Sequence, residues 1–274
     1  MYIKASKDMN VYAKFTEESV YAHPLTLDKL QAEYSASDGG FGVTINPDAG
    51  LKGKICFPKS LTVGSQTADV ISTLALSINE SGNESTYSPL SHNDDIYAVF
   101  FEGANDGTST IRIISQGTFE ADNNLMYVDL PDSITHIYAS AFAQCVSLTN
   151  NVMPTNLYHT DSASFNGAWS NIEGGIALKL PTAFIERGNW GPWAFYSGAG
   201  VASVQMGTPS SRITRFSRTE EDAPTMFSTG TKNWTVYVAS GSGLSEAIVR
   251  GLIFKLMGGS VDDPGSFNIT VDIG

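Results

Sequence analysis

The chain has 274 residues, of which 16 are Lys or Arg and 28 are Asp or Glu, giving a formal charge of −12. So acidic a chain is not drawn to phosphate backbones or anionic lipid, and we expect no nucleic-acid partner. Its longest apolar stretches are well short of the roughly 18 residues of a membrane span, so we expect no membrane insertion.

Residues 1–92 are predicted to form a β-rich domain that attaches or assembles. Short apolar or alternating runs at residues 1–5, 11–15, 41–45 and 51–57 are separated by Gly, Pro and Asp, which is typical of strands and turns. The pattern at residues 68–79 fits a short helix but also permits a strand, because it is rich in β-branched residues. The polar stretch 81–95 predicts a loop or a domain junction.

Residues 93–240 contain a repeated unit. A small or polar residue followed by Phe recurs five times, with the Phe residues 23, 23, 30 and 32 positions apart, at Phe119, Phe142, Phe165, Phe195 and Phe227. A Pro closes a short apolar run in nearly the same phase, at Pro131, Pro154, Pro181 and Pro209. Self-similarity at this period predicts a solenoid whose coils stack the Phe rings into one internal ladder.

The clearest unit covers residues 125–148. Its pattern predicts a strand with Val128 and Leu130 pointing inward, a stop at Pro131, a return path filled by Ile134 and Ile137, and Phe142 on the ladder. Residues 130–148, LPDSITHIYASAFAQCVSL, resemble the repeats of the BspA-like, or Treponema-type, leucine-rich repeat family. The resemblance extends more loosely over about residues 96–240. It implies a solenoid that binds host surfaces or other proteins, as in surface proteins of anaerobic bacteria and in some proteins of their phages.

Alternation along the predicted strands gives a candidate binding face. Its outward positions are Tyr127, Asp129, Asn150, Val152, Ala177, Lys179, Ser203, Gln205, Thr235 and Tyr237. Trp190 and Trp193 lie in an insertion between repeats, where exposed aromatic rings could stack on sugars or anchor a partner. The alternative is that these are ordinary solvated strand residues and tryptophans that fill space on the flank of the solenoid.

Residues 241–274 depart from the repeat. Apolar residues at a helical spacing predict a helix over residues 244–257, capped by Ser245 or Ser242 and ended by Gly258 and Gly259. An alternating strand follows at residues 267–273. We interpret the two as a cap over the open end of the solenoid, with a partner-binding helix as the alternative. The predicted fold is therefore mainly β: a β-rich domain, a leucine-rich-repeat solenoid and a helix-strand cap.

The sequence gives no catalytic or metal-binding motif. The four His residues share no ligand spacing, and the nucleotide and serine-hydrolase signatures are missing. The acidic groups Asp129 with Asp132, and 220–222, favour solvated loops over a carboxylate pair. Clustered oxygen ligands at 93–95 and 262–263 are only a weak calcium signal. We expect no catalytic residues, no metal and no cofactor.

These observations predict a non-enzymatic binding protein. The N-terminal segment has no export-signal pattern, which favours a phage virion protein, such as a head decoration, a fibre or a tail-associated receptor binder. A bacterial cell-surface adhesin is the alternative, and a carbohydrate-active enzyme is a more distant one. The expected partners are other virion proteins, or a host surface protein or glycan, and we expect a homo-oligomer.

Overall fold

The structure is a computed structural model that describes residues 23–74, 77–78, 84–85, 88–197, 200–259 and 267–274. Short strands dominate these segments. In chain order they are β1 Leu30–Ser35, β2 Gly40–Ile45, β3 Gly53–Phe57, β4 Ser60–Val63, β5 Gln66–Thr73, β6 Ser77–Ile78, β7 Glu84–Ser85, β8 Ile96–Phe101, β9 Ile113–Ile114, β10 Tyr127–Val128, β11 His136–Ile137, β12 His159–Thr160, β13 Ile176–Leu180, β14 Asn189–Trp190, β15 Val201–Met206, β16 Asn233–Val238 and β17 Asn268–Ile273.

Two α-helices accompany the strands within the described segments: α1 Thr182–Arg187 and α2 Glu246–Leu256. Single 3₁₀ turns occur at Leu27–Lys29 and Pro47–Ala49. No helix in this part of the chain is long and apolar enough to cross a bilayer.

One side of the solenoid is a parallel sheet in two hydrogen-bonded parts, ordered β10-β8-β3 and β13-β15-β16-β17. Residues 149–153 lie between the two parts. The Thr149 N–H donates to the Met126 carbonyl at 2.8 Å, and the Lys179 N–H donates to the Asn151 carbonyl at 2.7 Å. The two parts therefore make one continuous surface, and we call its outward side the front face.

A second sheet, the side sheet, runs in the order β1-β2-β5-β9-β11-β12-β14, with β4 paired to β5. From β9 to β14 each coil contributes one strand of two residues, and neighbouring strands are parallel. The second residue of each of these strands points inward and is buried: Ile114, Ile137, Thr160 and Trp190.

The predicted Phe ladder is confirmed. Neighbouring rings stack with centroids 5.1, 4.8, 5.4 and 5.3 Å apart through Phe119, Phe142, Phe165, Phe195 and Phe227. All five side chains are fully buried. Burial of a Phe side chain contributes roughly 1.5–3 kcal/mol, and an aromatic pair adds about 0.5–1.5 kcal/mol. The ladder is therefore a continuous source of stability along the solenoid axis.

The unit at residues 125–148 has the predicted interior except at Leu130. Val128, Ile134, Ile137 and Phe142 are fully buried, and Cys145 and Leu148 complete the same core. The strand ends at Val128, so it is shorter than the alternation suggests, and Leu130 is only partly buried.

Hydrogen bonding continues across residue 92, where the sequence predicts a division. β3 pairs with β8 over five residue pairs, and β5 reaches β9 through Ser72 and Ile113. Residues before 92 thus supply strands to both sheets. The sequence before residue 92 shows no repeat signal, because none of the described Phe residues there joins the ladder, and because the antiparallel pairs β1-β2 and β4-β5 interrupt the coil pattern.

Several predicted elements of the first region can be compared with the structure. The runs at 41–45 and 51–57 correspond to β2 and β3, and the stretch beginning at residue 68 lies in strand β5 through Thr73. The helical alternative is wrong there, because Val70, Ile71 and Thr73 favour extended backbone. The polar stretch 81–95 contains β7 and turns at 89–95, and its other residues are outside the described set. The predicted strands at 1–5 and 11–15 also lie outside it.

The C-terminal segment closes the end of the solenoid, as predicted. Helix α2 begins at the N-cap Ser245, and it buries Val249, Leu252, Ile253 and Leu256. The N–H groups of Met226 and Phe227 both donate to the Leu256 carbonyl, and β17 adds a last parallel strand to β16. Helix and strand therefore cover the last coil.

Candidate binding surfaces

The first part of the front face, formed by β10, β8 and β3, is covered by its own side chains and is not open to a partner. Cys56, Ala98 and Phe100 point outward from β3 and β8 yet are buried, and the Tyr127 ring lies 5.7 Å from the Phe100 ring. Tyr127 is therefore half-buried, and Asp129 is half-buried too. These two predicted contact residues belong to a packed patch.

Asn150 corrects a second expectation. Its side-chain Oδ1 accepts from the Val128 N–H at 3.0 Å, and its Nδ2 donates to the Val128 carbonyl at 2.6 Å. Its own carbonyl accepts from the Trp169 indole at 2.8 Å. Asn150 joins the two parts of the front sheet and is not an open contact residue.

The second part of the front face is open. Val152 is 53 % exposed and pairs in parallel register with Lys179, which is exposed together with Ala177. The remaining predicted residues on this part are half-buried: Ser203, Gln205, Thr235 and Tyr237. At the far edge, the Arg212 guanidinium lies 5.7 Å from the centroid of the Tyr237 ring and pairs with Asp272 at 3.0 Å. The open surface thus has a small apolar centre with polar and charged neighbours.

The two insertion tryptophans have different positions. Trp190 is 4 % exposed, stacks on Phe184 and donates its indole N–H to the Phe184 carbonyl at 2.8 Å. It is a core residue, so its prediction as a contact residue is corrected, because it is the inward residue of strand β14. Trp193 is 49 % exposed, as expected for a contact residue.

The acidic groups are engaged in local bonds. An Asp132 carboxylate oxygen accepts from the Thr155 N–H at 2.7 Å, and Asp222 accepts from both the N–H and the hydroxyl of Thr219. The Thr219 bonds lower the pKa of Asp222, which keeps it ionised and unsuited to act as a general acid near neutral pH. These contacts give no support to a glycosidase site.

The candidate calcium segment at residues 93–95 is likewise occupied by protein contacts. Asn93 Oδ1 accepts from the N–H groups of Asp95 and Ile96, and Asp95 pairs with Lys52 at 3.1 Å. Residues 262–263 lie outside the described set. Among the residues that are described, no group of three or more His, Cys, Asp or Glu side chains is placed to hold a metal ion.

Both cysteines are buried, free thiols. Burial, with smaller effects from Glu102 and Asp129, raises the pKa of Cys56 to about 12. Burial also raises the pKa of Cys145 well above its usual range. A thiol with so high a pKa is a poor nucleophile at neutral pH, so these residues pack rather than react.

One surface cluster was missed by treating the histidines separately. On the side sheet His136 and His159 are register partners with ring centroids 5.2 Å apart, and Tyr158 and Tyr138 pack at 4.9 and 5.8 Å from the His136 ring. Burial and then His159 lower the pKa of His136. The two histidines are 23 positions apart, which is the repeat period, and this spacing could have revealed the cluster.

Comparison with known proteins agrees with this architecture. Residues 106–179 match the family model described as "BspA type Leucine rich repeat region (6 copies)". No curated protein matches the chain. The predicted resemblance is confirmed for the matched segment, which carries repeats of this type.

Solved structures of three leucine-rich repeat proteins are similar. A leucine-rich repeat protein of Treponema pallidum aligns with a TM-score of 0.54 and 18 % identity over 85 % of this chain and 96 % of its own. A leucine-rich repeat protein of Bacteroides ovatus aligns with a TM-score of 0.47 and 16 % identity over 78 % of this chain. The alignment covers only 50 % of that protein, so this chain spans about half of its length. A leucine-rich cell surface protein of Faecalibacterium prausnitzii aligns with a TM-score of 0.41 and 15 % identity over 80 % of this chain and 69 % of its own. The Treponema match supports the leucine-rich-repeat fold alone.

Proposed function

With BspA-type leucine-rich repeats in residues 106–179 as the premise, we propose that this chain is a non-enzymatic binding module that contacts a protein partner through the open part of its front face. The observation that carries this proposal is the exposed pair Val152 and Lys179, which lie side by side in parallel register on the front face.

The composition of this surface fits a protein partner. Val152 and Ala177 form an apolar centre, and Lys179 and Gln205 stand beside it on neighbouring strands. Protein interfaces commonly combine a small apolar centre with a polar rim. The surface is built on a rigid sheet, so little conformational entropy is lost when it is covered.

The setting of this module is a separate proposal. Repeats of this type are common in bacterial surface proteins, which fits the alternative of a cell-surface adhesin, whereas the sequence prediction is a phage virion protein. Mass spectrometry of purified virions and of cell envelopes tests both, because the two settings place the chain in different fractions. Light scattering of the purified chain tests the expected homo-oligomer.

Binding to intact cells tests the proposed function. Fluorescently labelled protein is titrated onto epithelial cells and onto bacterial cells, with and without prior protease treatment, and is measured by flow cytometry. We expect saturable, protease-sensitive binding to at least one cell type. The double variant Val152→Asp, Lys179→Glu should weaken it at least tenfold, because it places two carboxylates on the contact surface.

Lys255→Glu is the control, since it makes the same substitution as Lys179→Glu on the exposed side of helix α2. Circular dichroism should show that both variants keep the fold. Unchanged binding by the front-face variant, or no saturable binding to any of these cells, would refute the proposal.

A further inference from the structure

Four of the five coils with a ladder Phe place one residue in the left-handed region two positions before that Phe. The φ angles are +60° at Gly117, +54° at Ser140, +56° at Ala163 and +56° at Trp193. In all four coils the N–H of this residue donates to a carbonyl of the following coil. These positions are therefore structurally equivalent, and three of them hold small residues.

Trp193 has no structural explanation at this position. Left-handed backbone is readily adopted by Gly and is unfavourable for a bulky side chain. Burial does not compensate, because half of the Trp193 surface is exposed, in contrast to Trp190 in the same insertion. A strained, exposed aromatic residue is a reason to look for a function.

A second aromatic ring stands beside it. Tyr196 is 42 % exposed, and its N–H donates to the Trp193 carbonyl at 3.1 Å. Both side chains therefore project from the same turn. In the two preceding coils the rows of Trp193 and Tyr196 hold uncharged residues. Ser140 and Ala163 share the row of Trp193, Asn166 shares the row of Tyr196, and Gln144 lies in the next row.

We propose that Trp193, Tyr196 and this uncharged surface bind a neutral oligosaccharide that lies along the solenoid axis. Aromatic rings stack on the C–H faces of sugars, and amide and hydroxyl groups both donate to and accept from sugar hydroxyls. Successive coils are 4.8 to 5.4 Å apart at the Phe ladder, which is close to the length of one hexose in an extended chain.

The neighbouring side chains distinguish this ligand from others. An anionic glycan would be matched by Arg or Lys, which this row does not contain. A protein partner would be matched by a continuous apolar centre around the tryptophan, whereas the adjoining side chains are small or are amides. The site lies apart from Val152 and Lys179, so it does not depend on the function proposed for the front face.

A glycan microarray that carries neutral, sialylated and sulfated oligosaccharides tests the proposal with the whole 274-residue chain. Titration calorimetry with cellopentaose, chitopentaose and mannopentaose then measures the affinity of any neutral class that is bound. We expect retention on at least one neutral class, with blue-shifted tryptophan fluorescence on binding. Trp193→Ala should weaken binding at least tenfold, and Tyr196→Ala should also weaken it.

Trp193→Ala should remove the aromatic ring without disturbing the fold, because Ala163 occupies the equivalent position in the preceding coil. Its melting temperature should equal or exceed that of the wild type. Tyr34→Ala, which removes an exposed aromatic ring from strand β1, is the matched control and should bind the neutral glycan like the wild type. Failure to bind any neutral glycan, binding only to anionic glycans, full binding by Trp193→Ala, or a protein partner as the only ligand lost in that variant would each overturn the proposal.

Discussion

The side chain of Asn150 hydrogen-bonds both the backbone N–H and the backbone carbonyl of Val128. The amide oxygen accepts from the Val128 N–H at 3.0 Å and the amide nitrogen donates to the Val128 carbonyl at 2.6 Å. On the other side of β10, the neighbouring Asp129 N–H bonds to the Val99 carbonyl of β8. The Asn150 side chain thus replaces a strand backbone at the point where the two parts of the front sheet meet.

Asn150→Ala should lower the free energy of unfolding by about 1–3 kcal/mol, because it leaves the N–H and the carbonyl of Val128 without their partner. Asn150→Asp should destabilise further, since a carboxylate oxygen would face the Val128 carbonyl. Chemical denaturation measures both effects. Asn151→Ala is the control: it removes one 3.3 Å bond at an exposed site and should change stability by less than about 0.5 kcal/mol. Equal effects of the two Ala variants would contradict this role.

The ladder could be predicted because its signal is one residue type at a repeated spacing. Phe119, Phe142 and Phe165 are 23 positions apart, and all three rings stack. Cap helix α2 was predicted for a similar reason, since its apolar residues repeat at a helical spacing. Both signals depend on periodic burial, which a single sequence contains.

Other features depend on contacts that have no period. Alternation places Asn150 outward, but nothing local to it indicates that its amide reaches Val128 in the previous coil. Trp190 and Trp193 are three positions apart in one insertion, and only the pairing of strand β14 buries the first and leaves the second exposed. Sequence reasoning thus predicted the solenoid better than the individual contact residues.

Phe142→Ala should be among the most destabilising substitutions in this chain. Its ring stacks between Phe119 and Phe165 at 5.1 and 4.8 Å, so truncation leaves a cavity in the middle of the ladder. The free energy of unfolding should fall by about 3–5 kcal/mol. Thermal and denaturant unfolding measure it, with Trp193→Ala as the matched aromatic-to-Ala change outside the core. A loss below about 1 kcal/mol would mean that the ladder contributes little.

The cap of helix α2 gives a test between two serines. The Ser245 hydroxyl accepts from the Ile248 N–H at 3.3 Å, whereas Ser242 accepts only from the Leu244 N–H in the preceding turn. Ser245→Ala should therefore cost about 1 kcal/mol, and Ser242→Ala should cost clearly less. Denaturant unfolding of the two variants measures the difference. The reverse order would assign the cap to Ser242.

Asp122 is a buried carboxyl at a position that other coils fill with an apolar side chain or a thiol. It lies three residues after Phe119, as Cys145 and Ala168 lie three residues after their own ladder Phe. One carboxyl oxygen accepts from the Leu125 N–H at 3.1 Å, and the other is buried without a partner. Burial, opposed by the Leu125 bond and assisted by Asp94, raises the pKa of Asp122 to about 8.

This raised pKa predicts a loss of stability as the pH rises. Between about pH 4 and pH 8 the folded chain keeps a proton on Asp122 that the unfolded chain releases, so the free energy of unfolding should fall by roughly 1 kcal/mol per pH unit. Below pH 4 both states hold the proton and the effect disappears. Asp122→Asn keeps the acceptor for Leu125 but cannot ionise, so the difference in unfolding free energy between variant and wild type should grow from pH 4 to pH 8. Denaturant titrations at several pH values measure that difference. A constant difference over this range would show that Asp122 is ionised in the folded protein.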